Sequence, residues 1–411
     1  MSTRSVEIMS PVGSFESLRA AFLGGADAVY FGIEQLNMRA RSSINFTTED
    51  LVKVVELCHE NEVKAFLTLN TILYDHDINL MKKIVKTAAD SNVDAIIAMD
   101  QAAISYAHSL GMSVHISTQI NITNIEVVKF YANFANVMVL SRELTLQQVK
   151  SICDAVVKED VRGPNGELVK IEVFVHGALC MAVSGKCYLS LHTANSSANR
   201  GACKQNCRRT YEVKDSEGNE LMVDNEYIMS PKDLCTVTFI DQIIKTGVSV
   251  LKIEGRSKGP DYVKEVTACY REAADAVGAG TFTFEKGKQW EKRLDNVFNR
   301  GFWGGYFLGK ELGEWTDEDG SKAKKRKVFV ADGAKYYGKI GVAEFNMRNG
   351  ELSVGDNIII TGPTTGIVEF NIETLVLDEQ QVETVKRGDN FTFPITEKIR
   401  PADKIYKIVD A

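Results

Sequence analysis

Val63-Lys-Ala-Phe-Leu-Thr-Leu-Asn70, Asp94-Ala-Ile-Ile-Ala-Met99, Gln101-Ala-Ala-Ile-Ser-Tyr-Ala-His-Ser-Leu110 and Ser113-Val-His-Ile-Ser-Thr-Gln119 follow one another along the chain. The first, second and fourth are short apolar runs of strand length, and the third carries a helical apolar face. The alternation continues in both directions. Strands are predicted over Val6–Val12 and Asp27–Ile33 upstream, and over Val137–Arg142, Lys170–His176 and Ser249–Glu254 downstream. Helical stretches separate them at Ser14–Leu23, Thr48–Glu60, Thr145–Val157 and Asp261–Val277. Thr47-Thr48-Glu49-Asp50 supplies cap chemistry at one helix start. Eight βα units over about 280 residues predict an α/β fold, a (β/α)8 TIM-like barrel. A doubly wound open sheet is the competing architecture, but no Gly-x-Gly-x-x-Gly follows the first strand.

The chain has 411 residues, long enough for more than one domain. The barrel is expected over residues 1–285, with a helical connector and basic linker over 286–327. From 328 to 411 the helical period gives way to short strands between turn signals, at Asn349-Gly350, Val354-Gly355-Asp356, Thr361-Gly362-Pro363 and Arg387-Gly388-Asp389. That predicts a small all-β barrel. Within the large barrel, unit seven is interrupted by an insertion at 177–248, far longer than an ordinary βα connection. Forty-eight basic against 55 acidic residues leave a net charge of −7, so bulk charge steers no nucleic acid to this chain. No stretch is apolar enough for a membrane span and the N-terminus is not signal-like, so a cytoplasmic protein with no membrane partner is expected.

Barrel chemistry sits at the C-terminal strand ends, and alternation selects the side chains that point inward. Lys252 and Glu254 should face inward on the last strand, as should Glu172, Phe174 and His176 on the seventh and His115, Ser117 and Gln119 on the fifth. Asn70 ends the third strand and Arg142 the sixth. The candidate catalytic residues are His176, Lys252, Glu254 and Arg256, and the candidate substrate-binding residues Asn70, Gln119 and Arg142. A plain structural reading stands beside this one: Glu172 and Lys252 as a buried ion pair, and the two arginines as ordinary surface groups. Five of the eight cysteines fall in the insertion. Cys180, Cys187, Cys203 and Cys207 are spaced C-x6-C-x15-C-x3-C, which fits neither paired zinc-finger spacing nor a bacterial ferredoxin. An iron–sulfur cluster, a zinc site and unligated thiols all remain open on spacing alone. Cys235 is an alternative fourth ligand, while Cys58, Cys153 and Cys269 read as packing residues on helices.

Glu172-Val-Phe-Val-His-Gly-Ala-Leu-Cys180, Ser184-Gly-Lys-Cys187-Tyr-Leu-Ser190, Asn199-Arg-Gly-Ala-Cys203-Lys-Gln-Asn-Cys207-Arg-Arg, Ser230-Pro-Lys-Asp-Leu-Cys235 and Leu251-Lys-Ile-Glu-Gly-Arg256 resemble, in order, the motifs of the collagenase-like "unclassified" peptidase family, U32. Within it the chain is most similar to the branch that forms 5-hydroxyuridine at the tRNA wobble position. That resemblance implies an iron–sulfur cluster, of the 4Fe-4S kind, on Cys180, Cys187, Cys203 and Cys207, with prephenate as co-substrate. It further implies tRNA as partner and a related family member as a second subunit. The C-terminal unit resembles the second domain of translation elongation factors. The family name implies a peptidase instead, but the chain has no His-Glu-x-x-His and no Gly-x-Ser-x-Gly. A non-catalytic redox scaffold is the third reading. Basic groups at Lys322, Lys324, Lys325, Arg326 and Lys327, and at Arg200, Lys204, Arg208 and Arg209, are candidates for phosphate contact, with a solvated linker as the plain alternative for the first run.

Overall fold

Eight strands with apolar residues on both faces close a parallel barrel, and short helices bury its outer face. In the computed structural model residues 6–41, 45–212, 229–309, 314–317 and 320–411 are described. The barrel strands are β1 (Glu7–Pro11), β2 (Ala28–Phe31), β3 (Lys64–Leu69), β4 (Ala95–Ala98), β5 (Val114–Ile116), β6 (Val137–Val139), β7 (Lys170–Gly177) and β9 (Val250–Ile253). They pair in order, and β9 closes the ring by pairing with both β1 and β7. The ring helices are α1 (Phe15–Leu23), α2 (Asp50–Glu60), α3 (Ile78–Asp90), α4 (Gln101–Ser109), α5 (Ile125–Ala132), α6 (Leu146–Lys158), the short α8 (Ile240–Ile244) and α9 (Pro260–Gly278). The remaining short helix α7 (Leu189–Ala194) lies in the insertion.

Alternation divides the core into two layers. Along β2, Ala28 and Tyr30 join Met9, Phe66, Ile97 and Val250 inside the barrel, while Val29 and Phe31 join the layer beneath the helices. The helices meet that layer with a stripe at helical spacing. In α3 it is Met81, Ile84, Val85 and Ala88, each burial contributing about 1–3 kcal/mol for the larger side chains. The expected start near Thr47 is present: Thr47 Oγ1 accepts the Asp50 amide at 3.2 Å, and the Asp50 carboxylate accepts the Thr47 amide at 2.9 Å. Capping boxes fix α1 at Ser14 and α6 at Thr145.

One irregularity changes the site. Phe174 pairs with Lys252 but His176 pairs with the next residue, Ile253, so β7 carries an extra residue at this point. The bulge keeps Glu172 and Phe174 inward and turns His176 out of the barrel. His176 packs instead among Tyr262, Tyr270 and Phe302, with ring centroids 5.5–5.9 Å away. Its expected inward orientation is therefore corrected: simple period-two counting fails across a bulge. The sheet also runs on past the barrel, through β8 (Asp233–Cys235), antiparallel to the end of β7, and β10 (Phe302–Trp303), parallel to β8. Gly177 makes this turn possible. Its φ is +102°, and a Cβ there would stand 2.6 Å from the Glu254 carbonyl oxygen.

After α10 (Phe284–Leu294), the C-terminal unit is all-β, as expected. Its strands are β11 (Lys325–Tyr337), β12 (Val342–Met347), β13 (Glu351–Ser353), β14 (Asn357–Gly362), β15 (Gly366–Asn371), β16 (Leu375–Leu377), β17 (Gln380–Val382), β18 (Thr384–Lys386), β19 (Asn390–Pro394) and β20 (Lys404–Asp410). Eight form an antiparallel sheet in the order β15-β14-β20-β11-β12-β19-β16-β17, and β13 pairs with β18. Phe345, Phe391 and Phe393 stack at its centre. The strand begins at Lys325, ahead of the boundary expected at 328, so part of the expected linker is sheet. Two of its basic groups are paired, Lys324 with Asp295 at the end of α10 at 2.6 Å and Lys327 with Asp261 at the start of α9 at 2.5 Å. Arg19 Nε donates to the Pro363 carbonyl at 3.1 Å, and Lys264 pairs with Glu369 at 2.9 Å across the same contact. Among the described residues no helix is long and apolar enough to cross a membrane.

Two buried histidines make the fold acid-sensitive. His176 is pushed down to about 3 by burial, and His115 to about 3 by burial and then by the nearby Lys252 ammonium. Both are neutral in the folded chain and protonate near pH 6.5 when unfolded, so below pH 6.5 the unfolded state binds more protons and stability falls as pH drops toward 3. Each contributes a slope of roughly 1.4 kcal/mol per pH unit in that window. Urea melts between pH 4 and 7 should show the His176→Phe slope reduced by about that amount. An unchanged slope would mean His176 is charged when folded.

Candidate functional site at the barrel mouth

A cavity of about 950 Å³ opens at the C-terminal ends of the strands, and the cysteine insertion roofs it. At its floor Lys252 Nζ donates to Glu172 Oε1 at 2.7 Å, and the ammonium lies 4.6 Å from the Tyr30 ring centroid and 5.5 Å from that of Phe174. Burial raises the Glu172 carboxyl and Lys252 draws it partly back, leaving it above its ordinary range. The other oxygen, Oε2, is buried with no hydrogen-bond partner. The plain structural reading of this pair is the one the geometry supports, although Lys252 also reaches the cavity.

Above the floor Glu254 meets Arg39 at 2.7 Å, and the Tyr30 hydroxyl donates to the Ile253 carbonyl at 2.8 Å and lies 3.3 Å from Glu254. Burial pushes the Glu254 carboxyl up, but the guanidinium groups of Arg39, Arg142 and Arg256 outweigh it and hold the group down at about 2. It is an anion at neutral pH, poorly suited to giving or taking a proton. Arg39 comes from the loop after β2, which Asn37 organises: its Oδ1 accepts the Arg39 amide at 3.0 Å and Arg256 Nη1 at 3.1 Å. Arg256 also donates to Thr68 Oγ1 at 2.8 Å. Burial lowers it to about 10, so it remains charged at neutral pH. Gly32 lets this loop approach, since a Cβ there would lie 2.8 Å from Arg256 Nη1.

The remaining expected residues also line the cavity. Asn70 Nδ2 donates to Ser117 Oγ at 3.2 Å and to Gln119 Oε1 at 3.3 Å. Arg142 lies flat over the Phe174 ring at 3.9 Å and donates to the Ala178 carbonyl at 2.9 Å. His115 points into the barrel below them, 4.5 Å from Phe66. His176 does not line the cavity, so the structure separates it from the other catalytic candidates.

Cys180, Cys187, Cys203 and Cys207 all line the roof. Burial raises the Cys207 thiol, Arg208 opposes this, and Cys180, Cys203 and Cys187 raise it further, so the Cys207 sulfur lies within the fields of the other three. Cys203 Sγ accepts the Gln205 amide at 3.4 Å. Arg208 staples this loop by donating to Leu179 O at 2.7 Å, Ser230 Oγ at 2.9 Å and Pro231 O at 2.5 Å. Among the described residues no three His, Cys, Asp or Glu side chains stand close enough to grip one ion, so a single-ion site is not preformed. Four thiols facing one space nonetheless provide the soft donors that an iron–sulfur cluster takes. Cys235 is corrected as a fourth donor: it lies in the hydrophobic layer beside Tyr270, pushed up to about 12 by burial, and does not reach the cavity.

Sequence reasoning missed Arg39, Tyr30, Thr68, Lys258 and Arg300, all of which line the cavity. Only their position, on or just after strand ends or near the late β10, could have indicated them. Among the basic groups considered for phosphate contact, Arg200 is committed to Asp77 at 2.6 and 3.2 Å and Arg208 to the staple. Lys322 pairs with Asp317, while Lys204, Arg209, Lys325 and Arg326 are exposed.

The family model described as "Peptidase family U32" matches residues 13–317. A Porphyromonas gingivalis protein named "Collagenase" is 54% identical over 99% of each chain. "tRNA hydroxylation protein P1" of Bacillus subtilis is 30% identical over 98% of this chain and 95% of its own. "23S rRNA 5-hydroxycytidine C2501 synthase" of Escherichia coli is 35% identical over 67% of this chain and 40% of its own. The solved structure of the U32 peptidase Mk0906 covers 62% of this chain and 95% of its own at TM-score 0.41 and 8% identity.

The floor pair sets a test. Lys252→Met leaves Glu172 buried without its cation and should destabilise the chain by roughly 3–5 kcal/mol. Lys252→Met with Glu172→Gln should recover most of that loss in denaturant melts. A double variant as unstable as the single one would show that the ammonium matters for its packing rather than its charge.

Proposed function

The chain belongs to peptidase family U32, and we propose that it is an RNA-modifying enzyme that hydroxylates wobble uridine of tRNA at C5 in a prephenate-dependent, oxygen-independent reaction. Converting C5–H to C5–OH with an oxygen atom at the level of water releases two electrons and two protons, so the reaction needs an external two-electron acceptor, to which a cluster would relay electrons, as well as a binding site. The observation that carries this reading is the convergence of four insertion cysteines on the rim of a cavity whose buried Arg256 makes its side-chain hydrogen bonds, among the described residues, to the neutral Asn37 and Thr68. A 4Fe-4S cluster on Cys180, Cys187, Cys203 and Cys207 would supply electron transfer beside the bound substrates.

The chain's own residues bind and orient. Arg256 and Arg142 are the guanidinium groups for the carboxylates of a small dicarboxylic acid such as prephenate. Glu254 holds Arg39 rather than moving a proton. Asn70 and Gln119 offer amides that can read the edge of a base, and Lys252 balances the floor. Support for RNA as the substrate class comes from the relatives named for tRNA and rRNA hydroxylation. A related chain as second subunit, and a cytoplasmic setting, belong to the same reading.

A peptidase is the second reading, because the relative with 54% identity bears the name "Collagenase". Hydrolysis by a cysteine or serine needs a base within hydrogen-bond reach of the nucleophile. Among the described residues no histidine makes a hydrogen bond to a thiol or to a serine hydroxyl, and His176 bonds only Tyr270, at 3.4 Å.

Mass spectrometry of wobble uridines from a deletion strain should show loss of the C5 hydroxyl and its derivatives. Anaerobically purified protein should contain iron and sulfide, and Cys180→Ala or Cys187→Ala should remove both. Arg256→Gln should keep the iron and lose hydroxylation by on the order of 100-fold. Unaltered tRNA in the deletion strain, together with gelatin cleavage by purified protein that Cys180→Ala abolishes, would replace this reading with the peptidase one.

A further inference from the structure

Lys258, in the loop between β9 and α9, has no ion-pair partner among the described residues. Its Nζ stands 2.9 Å from the centroid of the Phe298 ring, and the Arg300 guanidinium lies 4.9 Å from the same centroid. All three side chains line the barrel-mouth cavity. Among the described residues the Lys258 ammonium makes no hydrogen bond and no ion pair. The carboxylates whose fields reach it are Asp233 and Glu254, and each already holds an arginine: Asp233 with Arg300 at 3.4 Å, and Glu254 with Arg39 at 2.7 Å.

An aromatic face attracts an ammonium but accepts none of its protons in a strong bond. The N–H donors not turned to the ring are thus left without an acceptor among the described residues, beside a second cation that repels them. Burial and then Arg300 push the Lys258 ammonium down to about 7, which is the penalty of holding it there without an anion. Arg256, by contrast, is buried deeper and has two hydrogen-bonded partners. The cavity therefore presents two cationic groupings of different character: a planar guanidinium deep in the barrel and a point charge nearer the surface. A planar fork binds a carboxylate or a phosphate bidentately, and an ammonium binds a tetrahedral oxyanion as a point charge with rotatable donors, so Lys258 and Arg300 together offer both kinds of contact to a phosphate.

We propose that Lys258, with Arg300 beside it around Phe298, forms a second anion subsite, which binds the phosphate of the nucleotide whose base enters the cavity. The assignment rests on the reading of RNA as substrate. A base delivered to the barrel mouth brings its own phosphate with it, and this subsite anchors that phosphate while the base passes inward.

The test uses the full chain, purified anaerobically, titrated with uridine 5′-monophosphate, uridine and inorganic phosphate. The monophosphate should bind about tenfold more tightly than uridine, and inorganic phosphate should compete with it. Lys258→Met, which keeps length and apolar contact with Phe298, should bring the ratio near one while iron content, melting temperature and uridine affinity hold. Equal binding of monophosphate and uridine by the unsubstituted chain, or a ratio unchanged in Lys258→Met, would overturn the subsite. Loss of prephenate binding in that variant with the ratio intact would overturn its assignment to phosphate. The two readings fail separately. Hydroxylated tRNA with an unchanged ratio removes only the subsite, and a Lys258-dependent ratio in a chain that leaves tRNA unaltered removes only the hydroxylation.

Discussion

The Glu172–Lys252 pair lies where the barrel closes, on the two strands that join its last seam. Glu172 is fully buried and Lys252 nearly so, and each offsets the cost of burying the other's charge. The pair makes the floor electrically neutral, and the character of the cavity is then decided above it. There Arg39, Arg142 and Arg256 face Glu254, the one carboxylate that lines the cavity among the described residues, and its depression to about 2 records the excess of positive charge. A cavity built this way favours anions, and it does so although the chain as a whole carries a net charge of −7. The same seam contains the bulge that rotates His176 away, so the strand that supplies half of the floor pair also removes the nearest candidate base.

The cysteines are sorted by environment. Cys58, Cys153, Cys235 and Cys269 are buried, with thiols raised by desolvation, the first three to about 12. Such thiols stay protonated and serve packing. Cys180, Cys187, Cys203 and Cys207 are partly or wholly accessible on one roof. Thiolate ligands need compensation for their charge, and the roof has it nearby: Arg208 beside Cys207, and Arg39 within the field of Cys180. Arg208 also ties the second cysteine pair to Leu179, next to Cys180, so the halves of the insertion are joined by hydrogen bonds rather than by sequence proximity.

The barrel was legible because its signal is local and repeated. All eight strand candidates correspond to barrel strands, and the inward side of β9 follows from alternation, with Lys252 inside and Leu251 and Ile253 under the helices. Counting failed where a strand gained a residue, as at His176. It also failed where the chain left regular structure: Arg39 sits on an irregular loop with no period to place it, and its role depends on Asn37 and on the space at Gly32. β8 and β10 are two or three residues long and hold by pairing with β7 and with each other, which no composition reveals. Spacing alone likewise left Cys207 and Cys235 equivalent. Burial separates them, and burial is a property of the folded chain.

The two chemical readings make opposite demands on Cys180. As a nucleophile it would need a free thiolate, a base at hydrogen-bond distance and no competing metal. As a ligand it would need three companions facing the same space and no base at all. Its surroundings offer the three companions: three further thiols share the roof, the histidine four residues before it is enclosed by Tyr262, Tyr270 and Phe302, and His192, which also lines the cavity, makes no hydrogen bond to a thiol among the described residues. Restoring a dyad would require undoing the β7 bulge, which would also break the pairing of His176 with both Ile253 and Cys235. The strand geometry that builds the roof is thus the geometry that turns His176 away from Cys180, and the arginine-lined cavity beneath that roof is better suited to an anionic substrate than to a peptide bond.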